Sequence, residues 1–564
     1  MLHIFPPPRH LELTGGEHQP KGEFATIIER TASLPREAFT IEVKKDRIQI
    51  TGDNQGIAYA EQTIKQLLQQ FPTGHIPCCT IRDEPSLEVR GFMLDCSRCR
   101  VPNLHSLNAL IDLLGKLRYN QLQLYIEHTF AFKGHELVWK DASPFTPDEL
   151  KVIDELCQER GIELVPNFNS FGHFERWLQH KPYKHLAECP EGFRREEPLI
   201  VRDHGGTLVP DQASIDFLRP LHAEFLQNFK SQHFNVGMDE PWELGQGWSK
   251  QLVEQFGKHN VYINHLKSIH GLVKEQGRKM MFWSDIILEK PELVPDLPED
   301  VMPVIWGYEA DHPFDEQCHT VNKAGYDYLV APGTSTWNTF NGRLSNSLEN
   351  IHSAIDNAVR HNAKGSLLTS WGDNGNHQPW PLLHPALFYH AQVAWNHTRT
   401  SATHIPDAID HIRYRDPSGK ITKAIFSLGN ADVLMEKQLI NSSPTFHFLF
   451  GTKEKLAKTL GDLEPRFLKR AAKHLNETRS WLPEATPACS DGDWILRELD
   501  IGIDLGLLGI RRAETFLETG KDPKLAKERK ALAKRFATVW KYRAREGGLP
   551  ESLGYILDPA GKII

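Results

Sequence analysis

The chain has 564 residues, of which 40% are apolar and 24% charged, and a formal net charge of −8 at pH 7. These proportions are ordinary for a globular protein, and the mild negative charge argues against a broad nucleic-acid footprint. No run approaches the roughly 20 apolar residues of a membrane span, so no membrane association is expected.

The opening Met1-Leu-His-Ile-Phe-Pro-Pro-Pro has no charged region followed by an apolar one, so no secretory signal is visible and a cytoplasmic location is expected. Eight cysteines are too few for a disulfide framework. Cys96-Ser-Arg-Cys99 has CxxC spacing, but no second CxxC exists to complete a zinc ribbon, and reduced structural cysteines are expected. The length suggests about three or four domains, or one large barrel with additions.

Residues 1 to 85 read as a small α+β unit. Phe39-Thr-Ile-Glu-Val-Lys and Arg47-Ile-Gln-Ile-Thr alternate as half-buried strands, and Gly56 to Gln70 has helical apolar spacing. Pro72 and Pro77 mark a break, and Asp83-Glu-Pro85 a linker. From Glu88 the pattern becomes strand, helix, strand, helix. Strands are expected at Val89–Leu94, Leu122–Ile126, Ile162–Val165, Phe234–Met238, Lys279–Trp283, Val301–Trp306, Asp327–Val330 and Gly365–Ser370. Helices between them include Leu104–Leu117 and one opened by the capping box Thr146-Pro-Asp-Glu149 and stopped near Gly161.

A long excursion follows the third strand through Pro210, and Pro385–Trp395 closes the series. Eight alternations over residues 86 to 400 predict an α/β fold, a (β/α)8 TIM barrel. A doubly wound open sheet would also alternate, but no Gly-rich phosphate turn follows the first strand. Residues 401 to 564 lose strand signals and read as a mostly helical region, with the stripe Trp494, Leu496, Leu499, Ile501, Ile503, Leu507 and Leu508. The Lys/Arg-rich stretch from Lys521 to Arg545 reads as a solvated helix face.

Barrel chemistry sits at the C-terminal strand ends. There the sequence places Asp95; Glu127-His128; Asn167 with His173 beyond; Asp239-Glu240-Pro241; Trp283-Ser-Asp285; Trp306-Gly-Tyr308-Glu309; Thr336-Trp337-Asn338; and Trp371-Gly-Asp373. Carboxylates among four tryptophans suit a sugar ring, whose C–H face packs on indole while polar groups take its hydroxyls. His128, His173 and Asp239 could hold a metal, but no HxH or HExxH pair stands at these ends, and neither metal nor cofactor is expected. Asp239 and Glu240 can share one site only if the backbone leaves the strand between them, which Pro241 favours.

Arg90-Gly-Phe-Met-Leu-Asp95, the spacing to Tyr119-Asn120, the Phe171-Gly-His173 loop and Asn235-Val-Gly-Met-Asp239-Glu240 together resemble glycoside hydrolase family 20, the exo-β-N-acetylhexosaminidases. The resemblance covers about residues 88 to 400, and the N-terminal unit is similar to the domain that often precedes that barrel. It implies a carbohydrate substrate with a terminal N-acetylhexosamine and substrate-assisted retaining catalysis. Glu240 would be the general acid and base, and Asp239 would hold the 2-acetamido group. Arg90 would grip ring hydroxyls, Asp373 would take the outer ones, and Trp283, Trp306 and Trp371 would wall the acetamido pocket. His173 resembles the histidine that supports the acid.

Two positions depart from the family's pattern. Paired aspartates often end the second strand, where this chain has Glu127-His128. Trp337 stands about where the tyrosine holding the acetamido carbonyl is expected; its indole N–H can donate, and Tyr308 is the alternative. The likeness points to an intracellular, less typical branch. Two other functions stay open: a retaining glycosidase with Asp373 or Asp285 as nucleophile, and a non-catalytic sugar-binding barrel.

Overall fold

A computed structural model of the chain describes residues 2–19, 26–196 and 200–558. The N-terminal unit is a five-stranded sheet of β1 (His10–Glu17), β2 (Thr26–Arg30), β3 (Phe39–Val43), β4 (Ile48–Gly52) and β5 (Pro77–Asp83), in the order β1-β5-β3-β4-β2. In β3 and β4 every second residue is buried, as the alternation predicted. The helix Asn54–Gln70 covers that face with Ile57, Ala60 and Leu67, and Asp53 caps it by accepting from Gly56 N–H at 2.6 Å. Pro77 does not end the unit but opens β5, which pairs with both β1 and β3. The strands β1 and β2 carried no legible signal because every residue in them is exposed.

Eight parallel strands close the barrel: β6 (Val89–Asp95), β7 (Gln121–Ile126), β8 (Glu163–Phe168), β11 (His233–Asn235), β12 (Lys279–Trp283), β13 (Met302–Trp306), β14 (Leu329–Ala331) and β15 (Gly365–Ser370). The excursion after β8 folds into the hairpin β9 (Phe193–Arg195) and β10 (Ile200–Arg202). Along the barrel strands, side chains alternate between lumen and helix layer. Met93, Tyr125, Val165, Met281, Val304, Leu329 and Leu367 form the inner cluster, while Phe92, Leu94, Leu122 and Leu124 join the outer core. Thr146 and Glu149 make the expected capping box, with Pro147 in the first turn.

The fourth strand is shorter than expected. It stops at Asn235, because Gly237 and Met238 have φ of +72° and +76°, outside the strand region. Beyond Ser370 the described residues hold only helices and turns, the longest being Gly492–Thr519, packed against Pro444–Phe450, Pro465–Trp481 and Ala526–Arg543. No helix among the described residues is long and apolar enough to cross a membrane. All eight cysteines are free thiols, seven of them buried.

Candidate active site

The left-handed turn after β11 does what the acid pair requires. Glu240 itself has φ +47°, so the backbone rotates between the two carboxylates and both face one site. His173 lies between them, with Nε2 3.1 Å from Asp239 Oδ2 and 3.6 Å from Glu240 Oε2. The loop carrying His173 comes this close because Gly172 has no side chain: a Cβ there would stand 2.6 Å from the Asp239 carbonyl oxygen. Glu240 N–H donates to Asp285 Oδ2 at 3.2 Å, which ties the turn to the end of β12.

Electrostatics tune Glu240 and His173 in opposite senses to their solvent behaviour. Burial pushes the Glu240 carboxyl up to about 7, helped by Asp239 and Asp373 and opposed by His173 and Arg98. Burial pulls the His173 imidazole down, but the Asp239 carboxylate outweighs it and the ring is pushed up to about 10. Around neutrality Glu240 can therefore carry a proton while Asp239 faces an imidazolium. Asp239 Oδ1 is buried without a hydrogen-bond partner among the described residues, as is Trp283 Nε1. A polar ligand group would satisfy atoms of this kind.

Aromatic rings build the floor. Trp371 Nε1 donates to the Tyr308 hydroxyl at 2.8 Å. Trp306 stacks on Tyr308 with centroids 5.1 Å apart, and Trp337 meets the same phenol edge-on at 5.1 Å. Trp283 lies 6.1 Å from Trp371, so all four expected tryptophans and Tyr308 share one cluster on top of the inner barrel layer. Trp337 is only 2% exposed, placing it behind Tyr308 as a wall.

Over the Trp371 ring stands an arginine that the sequence reading missed. Arg98 ion-pairs with Asp95 at 3.3 Å and Glu127 at 3.0 Å, and its guanidinium lies over the rings of Tyr125 and Trp371. Burial opposes its charge, but Glu127, Tyr125, Asp95 and Asp373 keep it firmly protonated. Asp95 also accepts from Gly372 N–H at 2.9 Å, which fixes the loop bearing Asp373 against the loop bearing Arg98. Glu127 is buried and accepts from the Tyr125 hydroxyl. His128 is buried beside Arg176 and Arg98; burial, then these cations, drops its imidazole to about 3, so it is neutral.

Arg90 is the correction. It lies at the start of β6, at the closed bottom of the barrel, 1% exposed. Its guanidinium donates to Glu37 Oε2 at 2.6 Å, to Tyr59 Oη and to the carbonyls of Leu87 and Arg118. A residue at the start of a barrel strand belongs to the N-terminal rim, about 20 Å of strand away from the chemistry. The loop after the strand, Asp95-Cys-Ser-Arg98, was the place to look.

His173, Asp239 and Glu240 offer one nitrogen and two oxygens within 4.8 Å of one another, a donor set a metal ion could use. A metal ion would have to displace the proton that the Asp239 carboxylate favours on this imidazole. With that proton in place the three groups are arranged for proton transfer.

Residues 88–363 match the model of glycosyl hydrolase family 20, catalytic domain, and residues 5–84 that of the same family's domain 2. Hexosaminidase D of Homo sapiens is 27% identical over 221 residues, covering 37% of this chain and 43% of that protein. The chain thus matches under half the length of that relative. Among solved structures, β-N-acetylhexosaminidase from Bacteroides fragilis NCTC 9343 superposes with a TM-score of 0.55 at 18% identity, covering 70% of this chain and 90% of that one. Flavobacterium johnsoniae chitobiase does so with a TM-score of 0.59 at 15% identity, covering 96% and 99%. At such identities the structural likeness is one of fold. The two family matches together span more than half of the residues, and the chain belongs to glycosyl hydrolase family 20, a family of enzymes.

Proposed function

We propose that the protein is an exo-acting, retaining β-N-acetylhexosaminidase that removes terminal non-reducing GlcNAc or GalNAc by substrate-assisted catalysis. The observation that carries this reading is the Asp239-Glu240 turn: one carboxyl held up to about 7 beside a second one facing an imidazolium. Glu240 protonates the glycosidic oxygen while the substrate's 2-acetamido oxygen attacks C1. The C1–O bond breaks, the alcohol leaves with the proton, and a cyclic oxazolinium forms. Asp239 Oδ1 accepts the acetamido N–H and stabilises the positive nitrogen. Glu240, now a carboxylate, takes a proton from water, which opens the ring at C1 with net retention.

The floor suits the acetamido methyl, with Trp283, Trp306 and Trp371 as walls. Tyr308 accepts the Trp371 indole N–H and also bonds the Thr369 side chain, and in this reading its proton turns to the acetamido carbonyl when substrate binds. Arg98 and Asp373 take the outer hydroxyls, in the place first given to Arg90. Glu127 and the neutral His128 replace paired aspartates, and with Trp337 they motivate placing the chain in a less typical, intracellular branch. Free cysteines suit a cytoplasmic setting. The working division is a sheet-bearing unit to residue 85, the barrel to 400 and a helical region beyond.

The alternative with an enzyme nucleophile fares worse at Asp285, whose carboxylate is tied to the Glu240 backbone N–H. A panel of aryl β-glycosides tests the proposal. Aglycone release is expected only when the 2-acetamido group is present, with strong inhibition by a thiazoline mimic of the oxazolinium. Equal cleavage of 2-hydroxy sugars without thiazoline inhibition would transfer the reading to an enzyme nucleophile. Binding without turnover would leave a sugar-binding barrel.

A further inference from the structure

The last described stretch of the chain returns to the mouth of the barrel. Arg545 N–H donates to Val101 O, and its guanidinium reaches Pro144 O and Glu149. Gly548 then packs directly on the loop after β6, where a Cβ would fall 1.8 Å from the Cys99 carbonyl oxygen. Cys99 follows Arg98 and has φ +66°. The nine-residue helix Leu549–Leu557 starts here.

Two neighbouring residues of this helix hold two further loops. Glu551 takes the Arg176 guanidinium through both oxygens, at 2.6 and 2.8 Å, on the segment that follows His173. Ser552, fully buried, donates its hydroxyl to Gly375 O at 2.6 Å, and its backbone carbonyl accepts from His377 Nε2 at 2.8 Å. These bonds hold the loop just beyond Asp373, and Tyr555 packs edge-on against the His377 ring. One short helix therefore touches the loops after β6, β8 and β15. It lies outside both stretches that match the family.

We propose that the helix Leu549–Leu557 is a positioning element of the sugar site, fixing through Gly548, Glu551 and Ser552 the loops that carry Arg98, Arg176 and Asp373. None of its residues is assigned a contact with the reacting atoms; it sets how tightly the outer hydroxyls of the terminal sugar are held. The inference rests on the reading of this pocket as a sugar site. Its physical basis is that a grip on hydroxyls loses strength when its supporting shell loosens by a fraction of an ångström. The Arg176–Glu551 pair is over a third exposed on both sides and contributes little stability by itself, so its effect is expected in loop order rather than in global melting.

The test uses the full-length protein carrying Glu551→Gln and Ser552→Ala. Two lost hydrogen bonds should raise KM for an aryl β-N-acetylglucosaminide about tenfold with a much smaller change in kcat. The penalty for using 3-, 4- or 6-deoxy analogues should shrink relative to wild type, a response that a merely structural role would not give. Amide exchange in residues 95–101 and 371–378 should accelerate by about tenfold while the barrel strands keep their protection. Unchanged protection in both loops, or a loss of equal size for parent and deoxy sugars, would overturn the proposal. Failure of the wild type to hydrolyse any N-acetylhexosaminide would instead remove the sugar-site reading, and the exchange data would still decide whether the helix orders these loops.

Discussion

The two ends of β6 carry two arginines eight residues apart, and they are opposites in use. At the bottom, Arg90 spends its donors on Glu37, Tyr59 and backbone carbonyls, and both it and Arg118 lie over the Trp395 ring. Arg118 pairs with Asp83 at 2.8 Å and with the Thr63 hydroxyl, so the pair fastens the N-terminal sheet and its helix to the barrel floor. At the top, Arg98 is held by Asp95 and Glu127 but keeps 21% of its side chain exposed, among acids and indoles with unsatisfied atoms. Arg90, with every guanidinium nitrogen bonded, serves a joint, whereas Asp239 Oδ1 and Trp283 Nε1 are buried, unpaired and ready for a ligand. The comparison predicts that changes at the top alter turnover with little effect on stability, and that changes at the bottom do the reverse.

The largest effect is expected at Glu240. Glu240→Gln should lower kcat/KM for an unactivated disaccharide by about 10²–10⁴ while leaving the melting temperature in place. Nitrophenyl substrates, which need less protonation, should lose much less. An acid must carry its proton to act, so wild-type kcat/KM should fall tenfold per pH unit above the Glu240 value of about 7. His173 stays protonated to about 10 and does not contribute to this limb. Glu240→Gln should abolish the limb; a limb that persists there belongs to another group.

Next come the two arginines. Arg90→Met leaves the Glu37 carboxylate buried and unpaired, which should cost about 3–5 kcal/mol in denaturant unfolding. Turnover per folded molecule should not change. Arg98→Lys keeps the charge but loses the planar fork, and kcat/KM should drop about a hundredfold through KM. If Arg90→Met reduced turnover per folded molecule as strongly as Arg98→Lys, the division between the two rims would not hold.

Much of this arrangement was legible because local rules and global fold agree. Buried strands such as Lys279–Trp283 and Gly365–Ser370, and the Thr146 capping box, carry their own signals. The Asp239-Glu240 turn and His173 were legible from residues near the strand ends. What escaped depends on long-range partners. Exposed edge strands such as β1 have no buried face to imprint a period. Arg90 stands at the start of β6 and Arg98 just past its end, and only that placement separates a fastener from a site residue. The Ser552–Gly375 bond joins residues 177 apart, and no local pattern announces it.

The smallest effect tests a residue that belongs to both kinds of polar group. Tyr308 Oη is a structural acceptor for Trp371 Nε1 and, in the proposed mechanism, a donor to the acetamido carbonyl. Tyr308→Phe removes both roles. The stranded indole N–H should cost about 1–3 kcal/mol of stability, because a buried donor loses its only acceptor. The lost donor should lower kcat by about tenfold, since the acetamido carbonyl is polarised most as it closes on C1. Trp371→Phe is the control: with Tyr308 kept, the phenol proton remains and the loss should fall on KM, through the wall of the pocket. A kcat loss in Trp371→Phe as large as in Tyr308→Phe would mean that the indole, not the phenol, orients the carbonyl. Trp337, edge-on behind the phenol, would then be the next residue to replace.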